Sequence, residues 1–344
     1  MSPPGRAREK TDDSVDRESP ERVLVAGAGG FIGGHLVRRL EADGHAVRAV
    51  DIKPLAEWYH LSPTAENLQA DLSEKPAAYA AAAGVSTVYN LASDMGGMGF
   101  IEANKARCMI SVLINTHLLL SARDRGVRRY FFASTACVYP DHLQAKGNVP
   151  GLRESDAYPA MPEDGYGWEK LFGERMCRHF AEDFGLTTRV ARYHNIYGPN
   201  GTWRGGREKA PAAISRKVAE AIIAGTGEIE IWGDGSQTRS FAYIDDCIEG
   251  TRRLMASDVS EPLNIGSDEM VTVDQLVSIV EDIAGVTLRR KYRLDAPTGV
   301  RGRNSDNTLI NARLGWSPCI SLREGMEKTF HWIFDQVKRQ GTEK

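Results

Sequence analysis

Val23-Leu24-Val25-Ala26-Gly27-Ala28-Gly29-Gly30-Phe31-Ile32-Gly33 is an apolar run that breaks into glycines, after which Ile32, Leu36, Val37 and Leu40 recur at helical spacing. The stretch reads as a strand, a glycine turn and the opening of a helix. Gly27, Gly30 and Gly33 form a GxxGxxG arrangement. Glycine at these places lets the chain turn tightly, lets backbone lie against a pyrophosphate at a helix N-terminus, and lets the helix pack close to the sheet. Gly29, Phe31 and Ile32 belong to the same turn and are expected cofactor contacts. A second strand, Ala46-Val47-Arg48-Ala49-Val50, ends in Asp51, 18 residues after Gly33. An acid there takes both ribose hydroxyls of an adenosine and repels a 2′-phosphate, so the expected cofactor is NAD rather than NADP. Lys53, close behind, pulls the other way. Asp71-Leu72, after a third candidate strand, suits an adenine contact or a helix cap.

Further along, short apolar runs alternate with amphipathic segments. Thr87 to Ala92, a helical stretch around Ile110 to Ala122, Arg129 to Ser134, a helix from about Tyr166 to Glu182 and a strand from Thr187 to Tyr193 follow one another. This is the rhythm of an α/β protein with a Rossmann-type, doubly wound parallel sheet. Beyond Tyr193 the order changes to a Gly-rich loop at Pro199 to Gly206, a helix at Ala212 to Ile223, a strand at Glu228 to Trp232, and a final helix around Leu322 to Lys338. These predict a smaller α+β C-terminal substrate domain over the carboxyl ends of the strands, where ligands of such sheets bind. The expected division is a disordered tail at 1–20, an NAD-binding domain at 21–192 with parts of 237–265 returning to it, and a substrate domain at 193–236 and 266–340.

The 344 residues carry a net charge of −3 with both signs interspersed, so no basic stripe argues for nucleic acid. No apolar run approaches the roughly 20 residues a membrane span needs. Arg6, Arg8 and Lys10 have no apolar segment behind them and do not form a secretory signal. The five cysteines are scattered without a CxxC pair, which suits free thiols in a reducing compartment and no zinc site. A soluble cytoplasmic protein is expected.

Thr135 closes the Arg129 to Ser134 strand, and Tyr166 and Lys170 form a YxxxK pair. Residues i and i+4 share a helix face, so the Lys170 ammonium sits beside Tyr166 and favours its phenolate. A tyrosine lowered from about 10 can move a proton to or from a sugar hydroxyl while a nicotinamide moves the hydride.

Gly27 to Gly33, Thr135, Tyr166 and Lys170, with Trp232 to Phe241 and Ile244-Asp245-Asp246, resemble the extended short-chain dehydrogenase/reductase family that modifies nucleotide sugars. Four segments are more specific: Asp94 to Phe100, Ser134 to Pro140, Gly201 to Ala212, and Gly299 to Asn307. Together they resemble the GDP-mannose 3,5-epimerases, from about Arg22 to Trp332. The resemblance implies a homodimer built on two helices of the sheet domain, the segments near 110–122 and 166–182. It also implies substrate contacts at Gly96, Gly97, Thr135, Ala136, Cys137, Asn195, Glu208, Lys209, Lys217 and Gln237. Arg239, Arg301 and Arg303 are expected on the pyrophosphate, since guanidinium groups match phosphate oxygens in a bidentate way. For Lys217, a surface salt bridge is the alternative.

Cys137 departs from the wider family, whose dehydratases carry an acidic pair here and whose 4-epimerases carry small polar residues. A thiol two residues past Thr135 is a candidate acid/base, and Lys209 supplies the opposite partner. Once C4 of the sugar is a ketone, the C3 and C5 protons lie α to a carbonyl and can be removed as enolates. One of Cys137 and Lys209 removes a proton from one face and the other delivers one to the opposite face. This needs a cation near Cys137, and desolvation or a like charge at Lys209. The expected products from GDP-mannose are GDP-L-galactose and, from C5 inversion alone, GDP-L-gulose. Another nucleotide-sugar 4-epimerase or dehydratase is the alternative within the class, and a non-catalytic NAD-binding regulator the alternative outside it. His35 is expected as a helix residue and His194 as a cleft residue without an assigned role.

Overall fold

The computed structural model describes residues 21–342; the expected tail at 1–20 lies outside the described residues. Strand β1 (Arg22–Ala26), helix α1 (Phe31–Ala42), and strands β2 (Ala46–Asp51) and β3 (Glu66–Gln69) open the chain, followed by α2 (Lys75–Ala81) and β4 (Thr87–Asn90). Helices α3 (Met98–Ala103), α4 (Lys105–Ile110) and α5 (Val112–Asp124) lead to β5 (Arg129–Thr135), α6 (Tyr166–Phe184) and β6 (Thr187–Tyr193). The remainder is α7 (Ala210–Ala224), β7 (Glu228–Trp232), β8 (Thr238–Ser240), α8 (Ile244–Ala256), β9 (Leu263–Ile265) and β10 (Met270–Thr272). It ends with α9 (Val273–Ala284), β11 (Arg289–Arg293), β12 (Gly302–Arg303), α10 (Thr308–Leu314) and α11 (Leu322–Thr342).

Seven parallel strands form the main sheet in the order β3-β2-β1-β4-β5-β6-β9. The order reverses between β1 and β4, and a ligand crevice opens outside the carboxyl ends of strands at such a switch point. Both faces of the sheet are covered. Val23 and Val25 pack with Leu36, Val37 and Leu40 of α1, while Leu24 and Ala26 face Leu118, Leu119 and Ala122 of α5. Burial on both sides is why these strands read as continuous apolar runs rather than alternating ones.

Two smaller sheets, β10-β8-β12 and β11-β7, follow. The helix expected from Ile110 begins at Val112, and α3 and α4, of six residues each, precede it. Asn104, at φ −133°, breaks them apart, so neither is long enough to show a 3.6-residue period. Among the described residues no helix is long and apolar enough to cross a membrane, and no cluster of His, Cys, Asp and Glu could hold a metal ion.

Candidate active site

The glycine turn fits a dinucleotide. Gly27 has φ +86°, and a Cβ on Gly33 would stand 2.0 Å from the Gly27 carbonyl oxygen, so only glycine allows α1 to start this close to the turn. Gly30 is the N-cap of α1 and makes no side-chain cap bond, which leaves the helix N-terminus to an anion. Phe31 packs beside Gly198 and Gly201, and Ile32 lies against the core. Asp51 ends β2 and accepts from the Lys53 N–H at 3.0 Å. The Lys53 ammonium is turned back onto the Gly29 carbonyl oxygen at 3.2 Å, engaged with the turn, which favours the NAD reading. Asp71 accepts from the Ser73 N–H at 2.9 Å and does not cap α2, whose N-cap is Glu74; Leu72 is in the core.

Thr135, at the end of β5, accepts from the Cys137 N–H at 3.2 Å and so starts the 3-10 turn of Ala136, Cys137 and Val138. Its hydroxyl stands near enough to the buried Tyr166 phenol to oppose the upward push on it. Tyr166 opens α6 after Gly165, which sits at φ +94°. The helix comes so near that a Cβ on Gly167 would stand 2.4 Å from the Cys137 carbonyl oxygen. Thr135, Cys137 and Tyr166 are therefore brought together by backbone packing.

The charge on Tyr166 differs from expectation. Burial, then the Cys137 and Glu169 charges, push the phenol well above its ordinary range. The Lys170 ammonium lies over the Phe132 ring at 4.8 Å and the Tyr166 ring at 5.7 Å, with Glu169 Oε2 at 3.6 Å. It stands beside the ring rather than bonding the phenol oxygen, and the adjacent carboxylate offsets its field.

Cys137 is buried, and Arg303 Nη1 lies 3.4 Å from its sulfur. Arg303 is thus the cation beside the thiol, a contact that the pyrophosphate expectation did not include. Lys209 is the N-cap of α7, and its ammonium has no hydrogen-bond or ion-pair partner among the described residues. Burial lowers it from the ordinary lysine range, Arg303 adds to the lowering, and Cys137 is near enough to oppose it. Lys209, Cys137 and Arg303 form one electrostatic cluster.

Arg239 donates to the carbonyls of Thr238, Thr298 and Val300 at 2.7, 3.1 and 2.6 Å. Burial first, then Arg303, push it down to about 9. Among the described residues, Arg239, Arg303 and Lys209 have no carboxylate partner, and they lie within one another's field, so together they suit a polyanion. Arg301 does not join them: it is exposed and pairs with Asp234 at 3.3 Å and with Ser236 Oγ at 2.7 Å.

Lys217 donates to the Glu230 carbonyl at 2.9 Å and meets its carboxylate at 3.4 Å, the salt-bridge alternative. Gln237 Nε2 bonds the Trp232 carbonyl while its buried Oε1 has no partner. Asn195, at φ +46°, donates to the Ser240 carbonyl at 2.9 Å. Glu208 is held by Arg216 at 3.1 Å. Gly96 packs on Phe100, and Gly97 donates to the Arg207 carbonyl at 3.0 Å, joining the 94–100 segment to the loop before Lys209. Arg207 strengthens that junction with Asp94 at 2.7 Å.

His35 bonds the Pro199 carbonyl at 3.0 Å. His194 is not a cleft residue. It is fully buried against Asn264 and pushed down to about 3 by desolvation, so it stays neutral. No local sequence signal marks Gln144, Glu163 or the Asp94–Arg207 junction. A lone buried glutamine or glutamate in a loop has no period or motif, and it becomes visible only when distant segments are brought together.

Residues 23–266 match the NAD dependent epimerase/dehydratase family, and the chain belongs to that family. GDP-mannose 3,5-epimerase 1 of Oryza sativa subsp. japonica is 47% identical, over 94% of this chain and 84% of the relative. GDP-mannose 3,5-epimerase of Arabidopsis thaliana is 45% identical, over 93% and 84%. A crystal structure of UDP-glucose 4-epimerase with UDP-glucose from Thermotoga maritima shares the fold with a TM-score of 0.82 at 26% identity, over 92% of this chain and 99% of that one.

Proposed function

We propose that this chain epimerises GDP-mannose at C3 and C5 through a transient 4-keto sugar, giving GDP-L-galactose, with GDP-L-gulose as the product of C5 inversion alone. The observation that carries the reading is the cluster of Cys137, Lys209 and Arg303 at the end of β5, a buried thiol and a half-buried lysine within each other's field. The similarity to the two plant GDP-mannose 3,5-epimerases supports the substrate.

Residues 21–192, with parts of 237–265, hold the cofactor; 193–236 and 266–340 hold the nucleotide sugar. Gly27, Gly29, Gly30, Phe31, Ile32 and Gly33 would hold the NAD pyrophosphate, Asp51 the adenosine ribose, Asp71 and Leu72 the adenine, and Tyr166 and Lys170 the nicotinamide end. NAD, when bound, supplies the reversible hydride acceptor for C4 and the positive ring charge that a buried phenol needs to act as a base. Tyr166 takes the C4 hydroxyl proton, and Thr135 bonds the same oxygen and later holds the enolate. Cys137 and Lys209 then exchange protons with opposite faces at C3 and C5. Burial lowers the Lys209 ammonium from the ordinary lysine range, which favours the neutral amine that a base needs. Arg239 turns from its carbonyls to the pyrophosphate.

Met109, Ile110, Leu113, Trp168 and Phe172 expose apolar surface on α4, α5 and α6, which pack side by side. They support a homodimer through these helices, and a monomer by light scattering would overturn it. The free thiols support a reducing, cytoplasmic setting. The function is tested by incubating the NAD-loaded protein with GDP-mannose and identifying the sugar by NMR. GDP-L-galactose is expected; unchanged GDP-mannose would send the reading to another nucleotide sugar.

A further inference from the structure

The segment from Tyr139 to Gly147 follows the Cys137 turn and lies against the strand that carries Arg303. Gly302 packs so closely that an added Cβ would stand 2.3 Å from the Lys146 carbonyl oxygen. The Arg301 N–H donates to the Gln144 carbonyl at 3.0 Å. The Gln144 side chain, with no exposed surface, accepts from Arg303 Nε at 2.6 Å through Oε1. Its amide nitrogen donates to the carbonyls of Tyr139 at 3.1 Å and Pro140 at 3.3 Å. This network fixes which end of the amide is oxygen, because the reverse orientation would set donor against donor. The guanidinium's Nη1 then faces Cys137 Sγ at 3.4 Å.

A buried guanidinium is usually held by a carboxylate, as Glu174 holds Arg192 in this protein. Arg303 has no carboxylate within ion-pair distance among the described residues. A neutral amide supplies the same directional acceptor and leaves the positive charge unspent. That charge remains available to a thiolate.

We propose that Gln144 is a positioning residue: its neutral acceptor aims Arg303 at the Cys137 sulfur with full charge, and so sets how readily that thiol gives up its proton. The role rests on the proton transfer assigned to Cys137 above, but thiol ionisation can be read without turnover. The other ionisable groups around the sulfur are Tyr166 and Glu163 at the head of α6, Cys108 on α4, Lys209 at the head of α7, and Arg239 on β8. Substitution at 144 leaves all of them in place.

The test follows the rate of Cys137 modification by iodoacetamide against pH, by peptide mass spectrometry. It uses the NAD-loaded full chain carrying Cys319→Ser, since Cys319 is the exposed thiol. Gln144→Glu keeps the shape and the acceptor but adds a negative charge, and the midpoint of modification is expected to rise by about one pH unit or more. Gln144→Met keeps the volume and removes the acceptor, and a smaller rise is expected. A midpoint unchanged from the parent in Gln144→Glu overturns the proposal, because a merely structural glutamine would tolerate its isostere. Should that variant not retain NAD, an unchanged midpoint in Gln144→Met overturns it equally. If GDP-mannose is left unchanged by the parent while the midpoints rise as expected, the epimerase reading falls and the Gln144 assignment stands. Epimerisation with unmoved midpoints gives the reverse.

Discussion

The Glu174 carboxylate of α6 holds the Arg192 guanidinium of β6 at two points, 2.9 and 2.7 Å, with both side chains buried. Ser134 donates to the same carboxylate, and Arg192 reaches the Tyr139 hydroxyl at 3.2 Å and the Glu154 carbonyl at 2.7 Å. One ion pair therefore fastens the helix of Tyr166 and Lys170 to the strand end of Thr135 and to the segment after Cys137. Glu174→Ala leaves a buried guanidinium uncompensated and should cost about 3–5 kcal/mol. Urea unfolding measures it, and a loss within the range of an exposed pair would contradict the role.

Tyr166→Phe removes the proposed proton acceptor while keeping the ring beside Lys170. The turnover number should fall by about 10²- to 10⁴-fold with NAD still bound, as read by steady-state kinetics and by NAD content. Undiminished turnover would remove Tyr166 from the chemistry.

Arg239 lies on β8 and Arg301 just before the adjoining strand β12, but they differ in surroundings. Arg239 has no carboxylate partner among the described residues, whereas Arg301 is exposed and paired with Asp234. Arg239→Met should raise KM for GDP-mannose by about ten- to a hundredfold, the value of a hydrogen bond to a charged group. Arg301→Met should change it little. Equal effects would mean that Arg301 leaves Asp234 to reach the substrate.

Glu163 gives the protein a pH signature. Burial raises its carboxyl to about 7, although the Gly167 N–H and Arg303 both oppose the rise, while Asp141 and Asp164 reinforce it. The folded state then holds this proton through a range where the unfolded chain, with a carboxyl near 4.3, has released it. The Glu163 contribution to stability is therefore full below the unfolded value and declines as pH rises towards about 7. Glu163→Gln should flatten the fall in unfolding free energy between about pH 4.3 and 7. A profile as steep as the parent's would place the dependence elsewhere.

The parallel sheet was legible because strands buried on both faces and helices of three or more turns print their periods on the sequence. Thr135, Tyr166 and Lys170 were legible because they lie on two elements at fixed ends. The contact of Arg303 with Cys137 and that of Gln144 with Arg303 were not legible, because they span 166 and 159 residues and no local period links them. Tyr166 was read as favoured towards phenolate because helix spacing brings Lys170 near. Spacing does not show that Glu169 is beside the ammonium, or that burial opposes the charge.

Proton movement by Cys137 and Lys209 at C3 and C5 leaves a label in the product when the NAD-loaded protein is incubated with GDP-mannose in D2O and deuterium is located in the sugar by NMR and mass spectrometry. Deuterium at C3 and C5 is predicted, lost in Cys137→Ala and Lys209→Ala proteins that still bind NAD. A product without deuterium, or undiminished incorporation in either variant, would contradict it.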